Sequence, residues 1–223
     1  MKWATGILLI MQSIAYPAEA GMRAADIYPY EAAWLAASVV VSGRVESFDP
    51  ATGVTIRVVT VNRGDVPDTL LTLQGTGNST FLNEPGADLV AFIHTINGAQ
   101  ATLVYPPGAG GIIWQDSESL LAIVAGLENP LESLASTNER TRLAAAYFLA
   151  VEAHEFETAD LQASLVEAAL WGLKHPVAEV NQAAVDIFNA LEIEIGNYHP
   201  NYRLEIKVQV AEGLRERLNA EPN

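Results

Sequence analysis

Near residue 110 the apolar pattern of this chain changes period, from two to 3.6, and no single kind of layer accommodates both. Before the change, Val39, Val41 and Val45 fall on one side of an extended segment and Arg44 and Glu46 on the other. Asp49-Pro50-Ala51-Thr52-Gly53 is a turn, because proline presets one dihedral and glycine supplies a positive one. Val54, Ile56 and Val58 then alternate with Thr55 and Arg57. Two alternating runs joined by a turn predict a half-buried antiparallel hairpin. Arg63-Gly64-Asp65-Val66-Pro67-Asp68 breaks the chain. Further short strands are expected at residues 70–73, 88–94, 101–105 and 112–114, with Asn97-Gly98 as a hairpin turn. Residues 30–37 read as a short helix leading into the first strand. Five or six short strands within ~75 residues predict a small closed antiparallel barrel, since closure removes the edges through which sheets aggregate.

After the change the spacing is helical. Ser117 caps a helix to about residue 125, and Asn129-Pro130 opens a short one. Thr137-Asn138-Glu139 starts a long helix with Leu143, Ala146, Tyr147, Ala150 and Val151 on one face. Thr158 caps the next, which aligns Leu161, Leu165, Ala168, Ala169 and Leu173. His175-Pro176 ends that helix and starts another carrying Val180, Ala184, Ile187, Phe188 and Leu191. A last helix is expected over residues 202–218. A shift of forty superposes Glu139-Arg140-Thr141-Arg142-Leu143-Ala144 on Glu179-Val180-Asn181-Gln182-Ala183-Ala184, and Phe148 on Phe188. A shift of forty-one superposes Leu165, Ala169 and Leu173 on Ile206, Val210 and Leu214. The pattern resembles HEAT repeats, and Arg142-Leu143-Ala144-Ala145 is similar to the small-residue stretch of their first helices. Two such units bury too little alone, so the short helices between residues 117 and 135, or the barrel, are expected to supply a further layer.

Composition restricts compartment and partners. Lys2, an apolar run over residues 7–15 and Ala18-Glu19-Ala20 read as a secretory signal cleaved after Ala20, the apolar run being shorter than a spanning helix needs; the alternative is an uncleaved N-terminal anchor. The expected location is therefore periplasmic or secreted. There is no cysteine, hence no disulfide framework and no thiolate metal site. Net charge is −15, with eight acidic and four basic residues over 21–115 but eighteen and seven over 116–223. Such a surface repels phosphate backbones, which argues against nucleic acid as a partner.

The first hairpin carries a second resemblance. The segment from Ala37 to Val45 looks like the first strand of a netrin-like or TIMP-like module. The strand from Ile56 to Val61, followed by Arg63-Gly64, is similar to their second strand. Pro85-Gly86-Ala87-Asp88-Leu89-Val90-Ala91-Phe92-Ile93 resembles their Gly-x-x-aromatic-Leu-Val-Phe-Leu strand, with Asp88 where an aromatic is usual. The match covers about a third of the chain. It implies an OB-type barrel and a role in extracellular binding. It does not carry over TIMP-type protease inhibition, which depends on an N-terminal cysteine chelating the enzyme's metal.

Few residues have the spacing of a reactive site. His154-Glu155-Phe156-Glu157-Thr158 approaches a zinc helix, but Thr158 stands where the second histidine is needed and reads as a helix cap. Glu152, Glu155, Glu157 and Asp160 around it read as a solvated corner. Gly108-Ala109-Gly110-Gly111 lacks the Lys-Ser/Thr of a phosphate loop and, after Pro106-Pro107, reads as a linker or turn. Asn78-Ser79-Thr80 is a formal glycosylation sequon marking a surface loop. Ile195-Gly196-Asn197-Tyr198-His199-Pro200-Asn201-Tyr202 places two tyrosines and a histidine on an irregular link, a composition enriched at protein interfaces. The competing reading is that Tyr198 and Tyr202 plug the end of the helical core, and Trp171 beside His175 also reads as core.

The expected fold is therefore α+β: a signal segment (1–20), a small antiparallel OB-like barrel with a short leading helix (21–115) and an all-α HEAT-like module (116–223). Proteolysis is expected to separate the halves near residues 106–116. The expected function is an exported, non-catalytic binding or scaffold protein that presents either the barrel or the aromatic helix–helix edge at Tyr198, His199 and Tyr202 to a protein partner, with no cofactor and no metal. The rival is a hydrolase-type enzyme with an interdomain site built from His94, His154, His175 and His199 with nearby carboxylates.

Overall fold

The computed structural model describes residues 28–74, 84–114, 117–154 and 158–220. The expected signal segment, the sequon at Asn78, and Glu155 to Glu157 lie outside the described residues. The molecule is mixed α+β, with a six-stranded sheet in the N-terminal half and helices in the C-terminal half.

Helix α1 (Tyr30–Ala36) leads into β1 (Val39–Asp49), which turns into β2 (Gly53–Arg63), as the alternation requires. β3 (Leu70–Gln74), β4 (Asp88–Asn97), β5 (Gln100–Leu103) and β6 (Ile112–Trp114) follow. β4 and β5 form the hairpin expected from Asn97-Gly98, with Gly98 at φ +60° and Asn97 opposite Gln100. β1 pairs antiparallel with both β2 and β4, and β2 pairs antiparallel with β3. β3 pairs with β5 in parallel, so the sheet is mixed rather than antiparallel throughout. The pairings thus run β1-β2-β3-β5-β4 and return to β1, while β6 lies along β4.

The faces follow the alternation. Val41, Val45, Val54, Ile56, Leu71, Leu73, Ala91 and Ile93 form one buried cluster. Val40, Val90 and Phe92, at the intervening positions of β1 and β4, are buried on the other face with Ile113, Ala33 and Ala37. Sequence alternation alone identifies the first face. The second is apolar at β1 and β4 because α1 and Leu120 of the next helix cover it. Asp88, the departure from the family pattern, is exposed and pairs across the strands with Arg44 at 2.8 Å.

The helical half comprises α2 (Ser117–Glu128), α3 (Pro130–Ser133), α4 (Glu139–Tyr147), α5 (Ala159–Leu173), α6 (Ala178–Ala190) and α7 (Leu204–Ala220). Asn138 caps α4, its Oδ1 accepting from the backbone N–H of Arg140 and Thr141. Thr158 caps α5, its Oγ1 accepting from Leu161 N–H. α4 is prolonged by a π-helical turn, Phe148–Glu152. α4 packs on α5 and α6, and α5 on α6 and α7. The ends of α4 and α6 share one backbone hydrogen bond forty residues apart: Ala153 N–H donates to Phe148 C=O at 2.7 Å, and Ile193 N–H to Phe188 C=O at 2.9 Å. A non-glycine residue at positive φ adjoins each donor on opposite sides, His154 at 55° after Ala153 and Glu192 at 58° before Ile193.

The segment between the halves is built into the structure rather than strung between them. Pro107–Ala109 forms a 3₁₀ turn, and Ala109 to Ile113 are buried. Tyr28 N–H donates to Ala109 C=O, and the Tyr28 and Tyr105 rings stack at 3.9 Å. A Cβ on Gly111 would overlap the Tyr105 carbonyl, so only glycine fits there. Of the two readings of this stretch, the turn is the one observed. α1 joins the halves a second time. Tyr30, Ala33 and Trp34 pack toward the sheet, while Ala32 and Leu35 pack on the helical core.

Candidate functional site

The link between α6 and α7 lies against the turn between α5 and α6, held by one buried amide. Asn181 has no exposed surface. Its Nδ2 donates to the carbonyls of Gly172 at 2.7 Å, His175 at 2.8 Å and Leu173 at 3.3 Å, satisfying the end of α5. Its Oδ1 accepts from Lys207 Nζ, which also donates to the carbonyls of His175 and Pro176. Lys207 is 3% exposed, so a cation on the first turns of α7 is pinned to the α5–α6 turn. Burial lowers its ammonium pKa against the opposing pull of Glu179.

Tyr198 makes the second tie. Its hydroxyl donates to Leu173 C=O at 2.8 Å, its ring packs on the helical core, and burial raises its pKa. The three candidate interface residues come together: the Tyr202 ring meets Tyr198 edge-on at 6.3 Å and His199 at 6.0 Å. They differ in depth, however. Tyr198 acts as the plug, and Tyr202 is exposed. Val177, Leu204 and Ile206, on the same tied segments, are also exposed. Together with Tyr202 they are four of the nine large apolar side chains so exposed among the described residues; the others are Val59, Val61 and Leu70 on β2 and β3 and Leu121 and Leu131 on α2 and α3. Ile206 is 41% exposed, whereas Leu165, forty-one residues earlier on α5, is fully buried.

The histidines of the rival reading do not share one cleft. A cleft of about 380 Å³ opens between α2 and the starts of α4 and α6, lined by Asn138, Glu139, Arg140, Trp171 and His175 among others. His175 is the one histidine along it, its ring 5.1 Å from that of Trp171. His94 is exposed on β4, His154 is exposed after the π turn, and His199 lies in the α6–α7 link. Among the described residues no group of three or more histidine, aspartate or glutamate side chains is placed to hold a metal ion. Nor is any helix of the described residues long and apolar enough to cross a membrane.

Sequence reasoning missed the charged cluster at the seam. Glu31 on α1 is fully buried, 3.0 Å from Arg140 on α4, whose side chain is 9% exposed. The Arg140 guanidinium also lies 5.9 Å from the Tyr30 ring centroid, within cation–π range. Among the described residues no other side chain donates to the Glu31 carboxylate, which faces Arg140 and its own backbone N–H. Burial raises the Glu31 pKa more than Arg140 lowers it. On α6, Asp186 and Glu179 are raised by burial too, Asp186 also by Glu31, while Gln182 partly offsets the shift by donating to Asp186 at 2.9 Å. One sequence signal was available: Glu31 is the only charged residue between Asp26 and Arg44.

No protein-family model matches the chain, and no curated protein or solved structure is significantly similar to it.

Proposed function

We propose that the protein is an exported, non-catalytic binding or scaffold protein whose helical half docks a protein partner at the α5–α6/α7 edge. The observation that carries this reading is the exposure of Ile206 beside Tyr202, Leu204 and Val177, where the equivalent earlier position, Leu165, is buried. In this reading α4–α5 and α6–α7 are two HEAT-like units. The matched helix ends at Phe148 and Phe188 support that equivalence. In a stack of such units each apolar face is buried by a neighbour, so an apolar position left exposed on one of them is where a partner adds. The sheet is an OB-type barrel in the same proposal, supported by the return of the strand pairings to β1. Its role is to carry α1 and brace the first helices.

The test is a pull-down with residues 21–223 from native extract, comparing wild type with a Tyr202→Ala/Ile206→Glu variant. A stoichiometric partner lost in the variant supports the edge; one retained moves the binding surface to the sheet. The cleft at His175 favours a second reading, a hydrolase-type enzyme, and hydrolytic turnover abolished by His175→Ala would establish it instead.

A further inference from the structure

The seam around Glu31 has an unbalanced set of charges. On α1 the only ionisable group besides Glu31 is Tyr30. From α4 it faces Arg140 and Tyr147, and from α6 Asp186, with Glu179 acting on Arg140. Lys207 of α7 acts on Glu179; Tyr105 from the sheet side and Glu152 from the π turn act on Tyr147. Glu31, fully buried, and the half-buried Asp186 and Glu179 thus set three carboxylates against Arg140, which lies 3.0 Å from Glu31, and against Lys207 at Glu179. Like charges in such a medium repel strongly, and a fully buried ionised carboxylate is costly even beside one guanidinium. A proton on Glu31 removes one of the three negative charges and gives that carboxyl a donor of its own.

The location makes this more than a local stability effect. α1 is seven residues long and covers Val40, Val90 and Phe92 on one side while packing on the helical core on the other. It contributes no strand to the sheet and no layer to the helical pairs, so it can loosen without dismantling either. We propose that the seam around Glu31 is a proton-operated latch: uptake of a proton clamps α1 between the sheet and α4 and α6, and its loss loosens α1 while both halves stay folded.

The sign follows from linkage. Glu31, Asp186 and Glu179 all hold protons more tightly in the folded molecule than in the unfolded chain. Their contribution is therefore fully present below the ordinary carboxylate value of about 4 and is lost as pH rises through the raised folded values. Lowering the pH closes the latch, and raising it opens the latch.

Hydrogen–deuterium exchange on the full chain tests the latch, with protection corrected for intrinsic exchange rates. Protection of residues 30–37 is expected to fall at least tenfold as pH is raised from about 4 over the range in which the fold holds, while β4 amides keep theirs. In Glu31→Gln, which cannot ionise, protection should be flat across that range. Asp186→Asn, which removes a like charge, should move the fall to lower pH, and it decides the matter if Glu31→Gln does not fold. Constant protection of residues 30–37 in wild type would overturn the proposal. So would a fall that persists in Glu31→Gln, one that stays put in Asp186→Asn, or one shared equally by β4.

Discussion

Asn181 concentrates more structural work than any other polar side chain described. It closes the end of α5, receives Lys207 and holds α7 to its neighbours. Asn181→Leu should cost about 3 kcal/mol, because it strands carbonyls and a buried ammonium together. Adding Lys207→Met should recover part of that loss, since removing both partners is cheaper than orphaning one; urea denaturation of the three proteins would show it. At this scale the sequence was legible where a residue acts on its own backbone. Asn138 and Thr158 announce helix starts by their type and position alone. Asn181 could not be read, because its partners lie on other elements and nothing in its neighbours names them. Glu31 was visible as an isolated charge, but Arg140 was not identifiable as its partner. Tyr198 and Tyr202 look equivalent in sequence. Only the contact with Leu173 separates the plug from the exposed ring.

Helix and strand periods fixed the elements well, since each reflects burial of one face. What they could not show is which elements meet. The β3–β5 pairing is parallel because β5 returns from β4 into the gap beside β3, a matter of path rather than of alternation. Residues 30–37 were legible as a helix, yet its two-sided packing was not, since tyrosine, alanine and tryptophan carry no period that distinguishes sheet from helix as neighbour. α5 and α6 approach closely at Gly172, where a Cβ would come within 2.8 Å of the Ala184 Cβ and 3.1 Å of Leu143 Cδ1. Gly172→Ala gains helix propensity but overpacks this contact, so a net loss of about 1–3 kcal/mol is expected in thermal or denaturant unfolding. A more stable Gly172→Ala protein would show that the two helices have room to part.

For the molecule as a whole, the expected break at residues 106–116 contains a packed stretch. Ala109 to Ile113 are buried, and Gly110 and Gly111 lie against Tyr28 and Tyr105. Limited proteolysis should therefore spare residues 109–113, and the two halves should unfold in a single thermal transition. Two stable fragments released by one cut there would restore the picture of independent domains. The acidic excess of the helical half was readable by counting; where its buried members cluster was not, because they come from distant positions. That distance matters for how the chain is made. Arg140 lies more than a hundred positions beyond Glu31, so α1 must wait, with an apolar flank and a buried acid both unmatched, until α4 has formed. Such long-range closure is slow, and a chain still growing or threading through a pore cannot complete it. The assembly of the seam is thereby postponed until most of the protein exists, which makes α1 the last piece expected to gain protection in pulse-labelled refolding.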